Sequence, residues 1–127
     1  MLVSEDEAEV ARLFCALLER GGFITFHAPN GLMARRFMQD QVFDVVILDV
    51  DMPSLGGIEV CQSIRSEPRL AHLPVVLCSG RLDLAELAKN IGADDFIKKP
   101  SGLLQLADRI TLLLGTFGLR PKPSSNR

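Results

Sequence analysis

The sequence predicts a doubly wound α/β domain, a parallel sheet with helices on both faces. Two observations carry that expectation. Short apolar runs alternate five times with longer segments of helical periodicity, and one run, Val45-Val46-Ile47-Leu48, has no polar position before it stops at Asp49. Strands covered on both faces read as continuous apolar runs and belong to parallel sheets. Each parallel crossover is right-handed and must return across the sheet, which places helices on both sides.

The elements follow in order. Met1-Leu2-Val3-Ser4 reads as the first strand, Glu5-Asp6-Glu7 as the turn after it, and Val10, Leu13, Phe14, Leu17 and Leu18 as one face of the first helix. Gly21-Gly22 ends that helix, residues 23–27 form a short second strand, and Asn30-Gly31 opens a helix bearing Met33, Ala34, Phe37 and Met38. The third strand is residues 44–49 and the third helix residues 57–66. Pro68 and Pro74 bracket the way into a fourth strand at 75–79, since proline is excluded from central strands. A shorter helix at 83–91 breaks at Gly92, and Phe96-Ile97-Lys98 is a brief last strand before Lys99-Pro100. The final helix carries Leu103, Leu106, Ala107, Ile110, Leu113 and Leu114, with Leu104 and Leu112 off that stripe. Such a (βα)5 chain is expected to be flavodoxin-like, with strand order 2-1-3-4-5.

Composition sets the class. At 127 residues, 47% hydrophobic and 24% charged, the chain is expected to form one domain over residues 1–114, with 115–127 a tail or linker. No apolar stretch reaches the roughly 20 residues that span a bilayer, and the N-terminus lacks a secretion pattern, so a cytoplasmic location without membrane contact is expected. Cys15, Cys61 and Cys78 form neither a disulfide framework nor a metal pair. Three of the 14 basic residues lie in the tail, leaving 11 against all 16 acids in the body, which argues against direct nucleic acid binding.

The chemistry lies at the strand ends. In a parallel sheet the carboxyl ends converge, bringing Glu5 and Asp6, Asp49, Ser79 and Lys99 to one crevice although they are far apart in sequence. Carboxylates 4 Å apart repel by roughly 4 kcal/mol per pair at an effective dielectric of 20, and a dication reverses that balance. Mg²⁺ suits such an oxygen set, with Asp51 offering a backbone carbonyl, and often joins carboxylates to a phosphoryl group. Asp49 could then attack phosphorus while Lys99 neutralises the anion and Ser79 donates a hydrogen bond. Taken singly, each residue has a plainer role: Glu5, Asp6 and Glu7 favour the positive end of a helix, Asp49 and Ser79 suit turns, and Lys99 suits a wet surface.

With Glu5-Asp6, Leu48-Asp49-Val50-Asp51-Met52-Pro53, Gly57, Ser79-Gly80 and Lys99-Pro100 in order, the chain resembles the receiver domain of bacterial two-component response regulators over residues 1–114. The resemblance implies that Asp49 is the phosphoacceptor for a histidine kinase or phosphotransfer protein. It further implies that Glu5, Asp6, Asp49 and the Asp51 carbonyl bind Mg²⁺ and that Lys99 contacts the phosphoryl group. Ser79 and Phe96 would form a two-state switch, and Lys99-Pro100 a cis bond. Asp51 and Arg81 would flank the path of attacking water, and their opposite charges suggest a salt bridge that sets phosphoryl lifetime. A homodimer through the fourth helix, fifth strand and fifth helix is a further implied partner, with Leu104 and Leu112 as candidate contacts. The chain departs from the commonest pattern in Glu5 for Asp, Gly56 for Asp, and a Phe96 that has no hydroxyl. A receiver fold used only for docking stays open as an alternative, as does, remotely, a phosphatase of the haloacid dehalogenase type. In that family the nucleophile lies on the first strand.

Overall fold

The computed structural model describes residues 1–53, 55–99 and 101–116. Five parallel strands, β1 Leu2–Ser4, β2 Phe26–Ala28, β3 Val46–Asp49, β4 Val75–Ser79 and β5 Asp95–Lys98, lie in the order β2-β1-β3-β4-β5. Between and after them run α1 Ala8–Arg20, α2 Gly31–Asp40, α3 Gly57–Ser66, α4 Ala85–Asn90 and α5 Leu106–Thr116, with 3-10 turns at Leu82–Leu84 and Leu103–Gln105. The doubly wound flavodoxin-like fold is therefore present, in the expected order.

The pleat of the central strands divides the core. Leu48, Val46, Val75 and Leu77 face Val60, Ile64 and Ala88 on one side. Ile47, Val45, Val76 and Cys78 face Phe14, Leu18, Leu106 and Ile110 on the other. Every residue of β3 and β4 is buried, which is why no polar position interrupts Val45-Val46-Ile47-Leu48. Each fully buried Val, Ile or Leu contributes roughly 1.5–3 kcal/mol relative to exposure.

Several bounds differ from the sequence expectation. The second strand begins at Phe26, because residues 23–25 run past the end of the edge and only three rows pair with β1. The fourth helix starts as a 3-10 turn, and its α-helical part is only Ala85–Asn90. The buried stripe of α1 is Ala11, Phe14 and Leu18, rotated from the expected face, so Leu13 is 47% exposed. Helix α5 continues through Gly115 to Thr116, past the expected boundary at 114. The tail beyond 116 and the expected cis bond at Pro100 lie outside the described residues.

Two local features fix the framework. Asn30 caps α2 by accepting the Met33 N–H at 2.9 Å. Arg65, at the end of α3, donates to the carbonyls of Gly92 at 2.8 Å, Leu73 at 2.7 Å and Ala71 at 3.2 Å, and pairs with Asp94 at 2.9 Å. Asp94 in turn accepts the Val75 N–H at 2.8 Å, so one guanidinium ties together the connections entering β4 and β5. Gly92 takes φ +96°, a conformation that L side chains rarely adopt.

Gly57 sets the approach of α3 to the end of β3, since a Cβ there would lie 2.4 Å from the Asp49 carbonyl oxygen. A Cβ at Gly80 would meet nothing closer than 3.9 Å. Gly57→Ala is expected to cost about 1–3 kcal/mol in urea denaturation, while Gly80→Ala stays within about 0.5 kcal/mol of the parent. Equal effects at both positions would show that the close approach of α3 is not what matters.

Candidate functional site

Register and pleat bring the site together. Ser4 pairs with Leu48, Asp49 with Cys78, and Cys78 with Ile97, so Glu5, Asp49 and Lys99 emerge on the side of the sheet that α1 and α5 cover. Cys78 lies in the row between them as an apolar floor. Burial pushes its thiol far above the ordinary range, and it stays protonated.

The acids and the lysine form a tight group. Lys99 Nζ lies 3.0 Å from Glu5 Oε1 and 3.3 Å from Asp49 Oδ1. Glu5 has no exposed surface and Asp49 is 3% exposed, while Asp6 is open to solvent. Glu5 Oε2 accepts the Glu7 N–H at 3.2 Å, and Asp49 Oδ1 accepts the Asp51 N–H at 3.4 Å. Asp49 Oδ2 accepts from none of the described residues.

Burial raises the Asp49 carboxyl to about 7; the Lys99 charge opposes this and the Glu5 charge adds to it. For Lys99, burial favours the neutral amine, but the hydrogen bond to Glu5 and the charges of Asp49 and Glu5 outweigh it and leave the pKa raised. The lysine is therefore a permanent cation near neutral pH.

One ligand atom from each of Glu5, Asp6 and Asp49 can lie within 4.8 Å of the others. These are hard oxygen donors at a spacing that fits a small divalent cation such as Mg²⁺, and a cation there would offset the burial and the Glu5 charge that together raise Asp49. Ser79, fully buried, accepts the Arg81 N–H at 3.0 Å, and its own proton has no acceptor among the described residues. Phe96 is half-buried, on the same pleat of β5 that faces the Leu77 side of the core. It lines an open cavity of about 520 Å³ between α4, β5 and α5.

The expected Arg81–Asp51 bridge is not formed. Arg81 pairs instead with Asp83, two residues away, at 3.7 Å, and both of those side chains are exposed. A local partner costs a loop side chain less ordering than one across the site.

Sequence reasoning missed the residues that hold the loops. The Ser4 hydroxyl reaches Met52 Sδ at 3.1 Å and the Asn30 carbonyl at 3.3 Å, docking the loop after Asp49 onto the start of α2. His27 Nε2 lies 2.7 Å from the Glu5 carbonyl oxygen. Neither carries a sequence signal, because both depend on how β1 and β2 line up.

Comparison with known proteins agrees with this geometry. A family model described as the response regulator receiver domain matches residues 1–111. The chain is 34% identical over 116 residues to the transcriptional regulatory protein TctD of Salmonella typhimurium, covering 90% of this chain and 51% of that protein. It is 32% identical over 127 residues to the transcriptional regulatory protein CseB of Streptomyces avermitilis, covering 98% and 53%. The chain thus spans about half the length of these curated relatives. Among solved structures, the signal receiver domain of a signal transduction histidine kinase from Syntrophus aciditrophicus superposes with TM-score 0.82 at 33% identity, covering 91% of this chain and 89% of that one. The receiver domain of the Francisella response regulator 1452 gives TM-score 0.83 at 25% identity, covering 91% and 96%.

The raised Asp49 makes stability depend on pH. Its folded pKa of about 7 exceeds the unfolded 3.8, so the native state holds the extra proton between those values and loses stability as pH rises through them. Lys99 titrates above this window and adds no slope to it. Metal-free protein should melt at falling temperature from pH 5 to 8, and Asp49→Asn should flatten the profile and raise Tm at pH 8 by about 3–10 °C. Parallel profiles in calorimetry would refute a buried acid at this position.

Proposed function

The chain belongs to the response regulator receiver domain family, and we propose that Asp49 accepts a phosphoryl group from a histidine kinase or phosphotransfer protein. One observation carries this: a buried carboxylate at a strand end with an ammonium 3.3 Å from Oδ1 and two further carboxylates within reach of one cation. An Asp49 oxygen bonds to phosphorus as the P–N bond of a phosphohistidine breaks, and the electron pair stays on the imidazole nitrogen, which takes up a proton. With a small acyl phosphate the breaking bond is P–O and the carboxylate leaves.

Bound Mg²⁺ would supply charge neutralisation for the phosphoryl transfer. Glu5, Asp6 and Asp49 would hold it through their carboxylates and Asp51 through its carbonyl. Lys99, fixed by Glu5, meets the charge that develops on the phosphoryl oxygens. Ser79 donates its uncommitted proton to one of them. That movement of the hydroxyl frees space toward Phe96, whose half-buried ring then packs inward, a two-state repacking driven by new charge.

The face built from α4, β5 and α5 is the surface this repacking alters. It carries the Arg109–Asp95 ion pair beside Phe96. Leu104 and Leu112, at 84% and 72% exposure, are the candidate contacts of a homodimer there.

Incubation with acetyl phosphate and Mg²⁺ is expected to add the mass of one phosphoryl group, and Asp49→Asn to abolish the gain. Lys99→Ala should slow it by about 10²-fold or more, as loss of a charge stabiliser does elsewhere. No mass gain by the parent would leave a docking module in place of a phosphoacceptor.

Asp51, two residues after Asp49, and Arg81, two after Ser79, are both exposed, and we assign them control of phosphoryl lifetime without a bridge between them. Arg81→Ala should change the dephosphorylation rate by up to about fivefold, the kinetic equivalent of an exposed pair worth up to about 1 kcal/mol. An unchanged decay would remove Arg81 from the mechanism.

A further inference from the structure

The end of the edge strand β2 holds the backbone of Glu5 from two sides. The Glu5 N–H donates to the Ala28 carbonyl at 3.1 Å, and His27 Nε2 meets the Glu5 carbonyl oxygen at 2.7 Å. A carbonyl only accepts, so Nε2 carries a proton, as it does in one neutral tautomer and in the imidazolium. The Glu5 side chain is equally committed, with Oε1 on Lys99 and Oε2 on the Glu7 N–H.

The carbonyl that His27 grips belongs to the peptide unit joining Glu5 to Asp6. That unit is planar and rigid, so holding its oxygen restrains ψ of Glu5 and φ of Asp6, the torsions that aim the two carboxylates relative to each other. Asp6 has no hydrogen-bond or ion-pair partner among the described residues, and it is exposed. Its direction therefore rests on its backbone. His27 is itself exposed and fills no core space.

We propose that His27 is a positioning residue for the divalent cation site, acting through the peptide between Glu5 and Asp6. The proposal rests on the phosphoacceptor reading above, and it assigns to an edge-strand side chain the alignment of two ligands it does not touch. Groups that orient metal ligands from behind commonly set affinity without entering the coordination shell.

Mg²⁺ titration calorimetry on the unphosphorylated full chain tests this, with His27→Ala and His27→Leu as losses of the donor at two sizes and His27→Gln as an amide donor of similar reach. Ala and Leu should each weaken Mg²⁺ binding about fivefold, the effect of one hydrogen bond of ordinary strength. Gln should return it to within about twofold of the parent. Phosphorylation by acetyl phosphate should need more Mg²⁺ in the Ala and Leu variants yet reach the parental rate at saturation, and melting in EDTA should fall by no more than the few degrees that one lost hydrogen bond costs.

Mg²⁺ affinity equal to the parent in the Ala and Leu variants would overturn the proposal while leaving the phosphoacceptor reading intact. So would a Gln variant as weak as Ala, or a lower saturating rate with unaltered affinity. Failure of the parent chain to bind Mg²⁺ would overturn both.

Discussion

One ammonium between two buried carboxylates governs this structure. Lys99 is 3.0 Å from Glu5 and 3.3 Å from Asp49, and without it two acids would share a crevice from which water is nearly excluded. Desolvating either charge alone costs several kcal/mol, so the three groups are stable together and costly apart. The balance is incomplete even so. One cation faces two acids, and the loss of water around Asp49 outweighs the attraction of Lys99, so its carboxyl is raised. Further positive charge beside Asp49 would ease that cost, as would a group that brings it.

The fold supplies the means of holding such a group. Three strand ends from β1, β3 and β5 deliver Glu5, Asp49 and Lys99 on one pleat, and Cys78 separates them with a floor that cannot ionise. The neighbouring pleat carries Ser79 and, two rows back, the Phe96 position. The acids with their lysine and the Ser79–Phe96 pair thus lie on opposite faces of the same strands. The close approach at Gly57 and the Ser4–Met52 hydrogen bond hold the loop after Asp49 against the sheet.

Much of this is legible in the sequence, for a definable reason. A buried parallel strand fixes where its next residue goes, so Asp49 after Leu48 and Lys99 after Lys98 could be placed without coordinates. Helix existence is legible in the same way, but helix rotation is not. The first helix offers five apolar residues on its expected face, and how it seats on the sheet puts Ala11 in and Leu13 out. Edge strands are harder still, because β2 exposes Phe26 and His27 and so lacks an apolar run. The Arg81–Asp51 expectation failed on loop geometry, where Asp83 is the nearer partner. His27 and Ser4 act across strand pairs, a relation that sequence order conceals.

The Arg65 network holds the two ends of α4 unequally. Its guanidinium fastens the Gly92 carbonyl behind α4 and, through Asp94, the first residue of β4, while the opposite end of α4 begins in a single 3-10 turn that follows Ser79 and Arg81. One side chain on α3 thus moors the end of a neighbouring helix together with the entries to the strands before and after it.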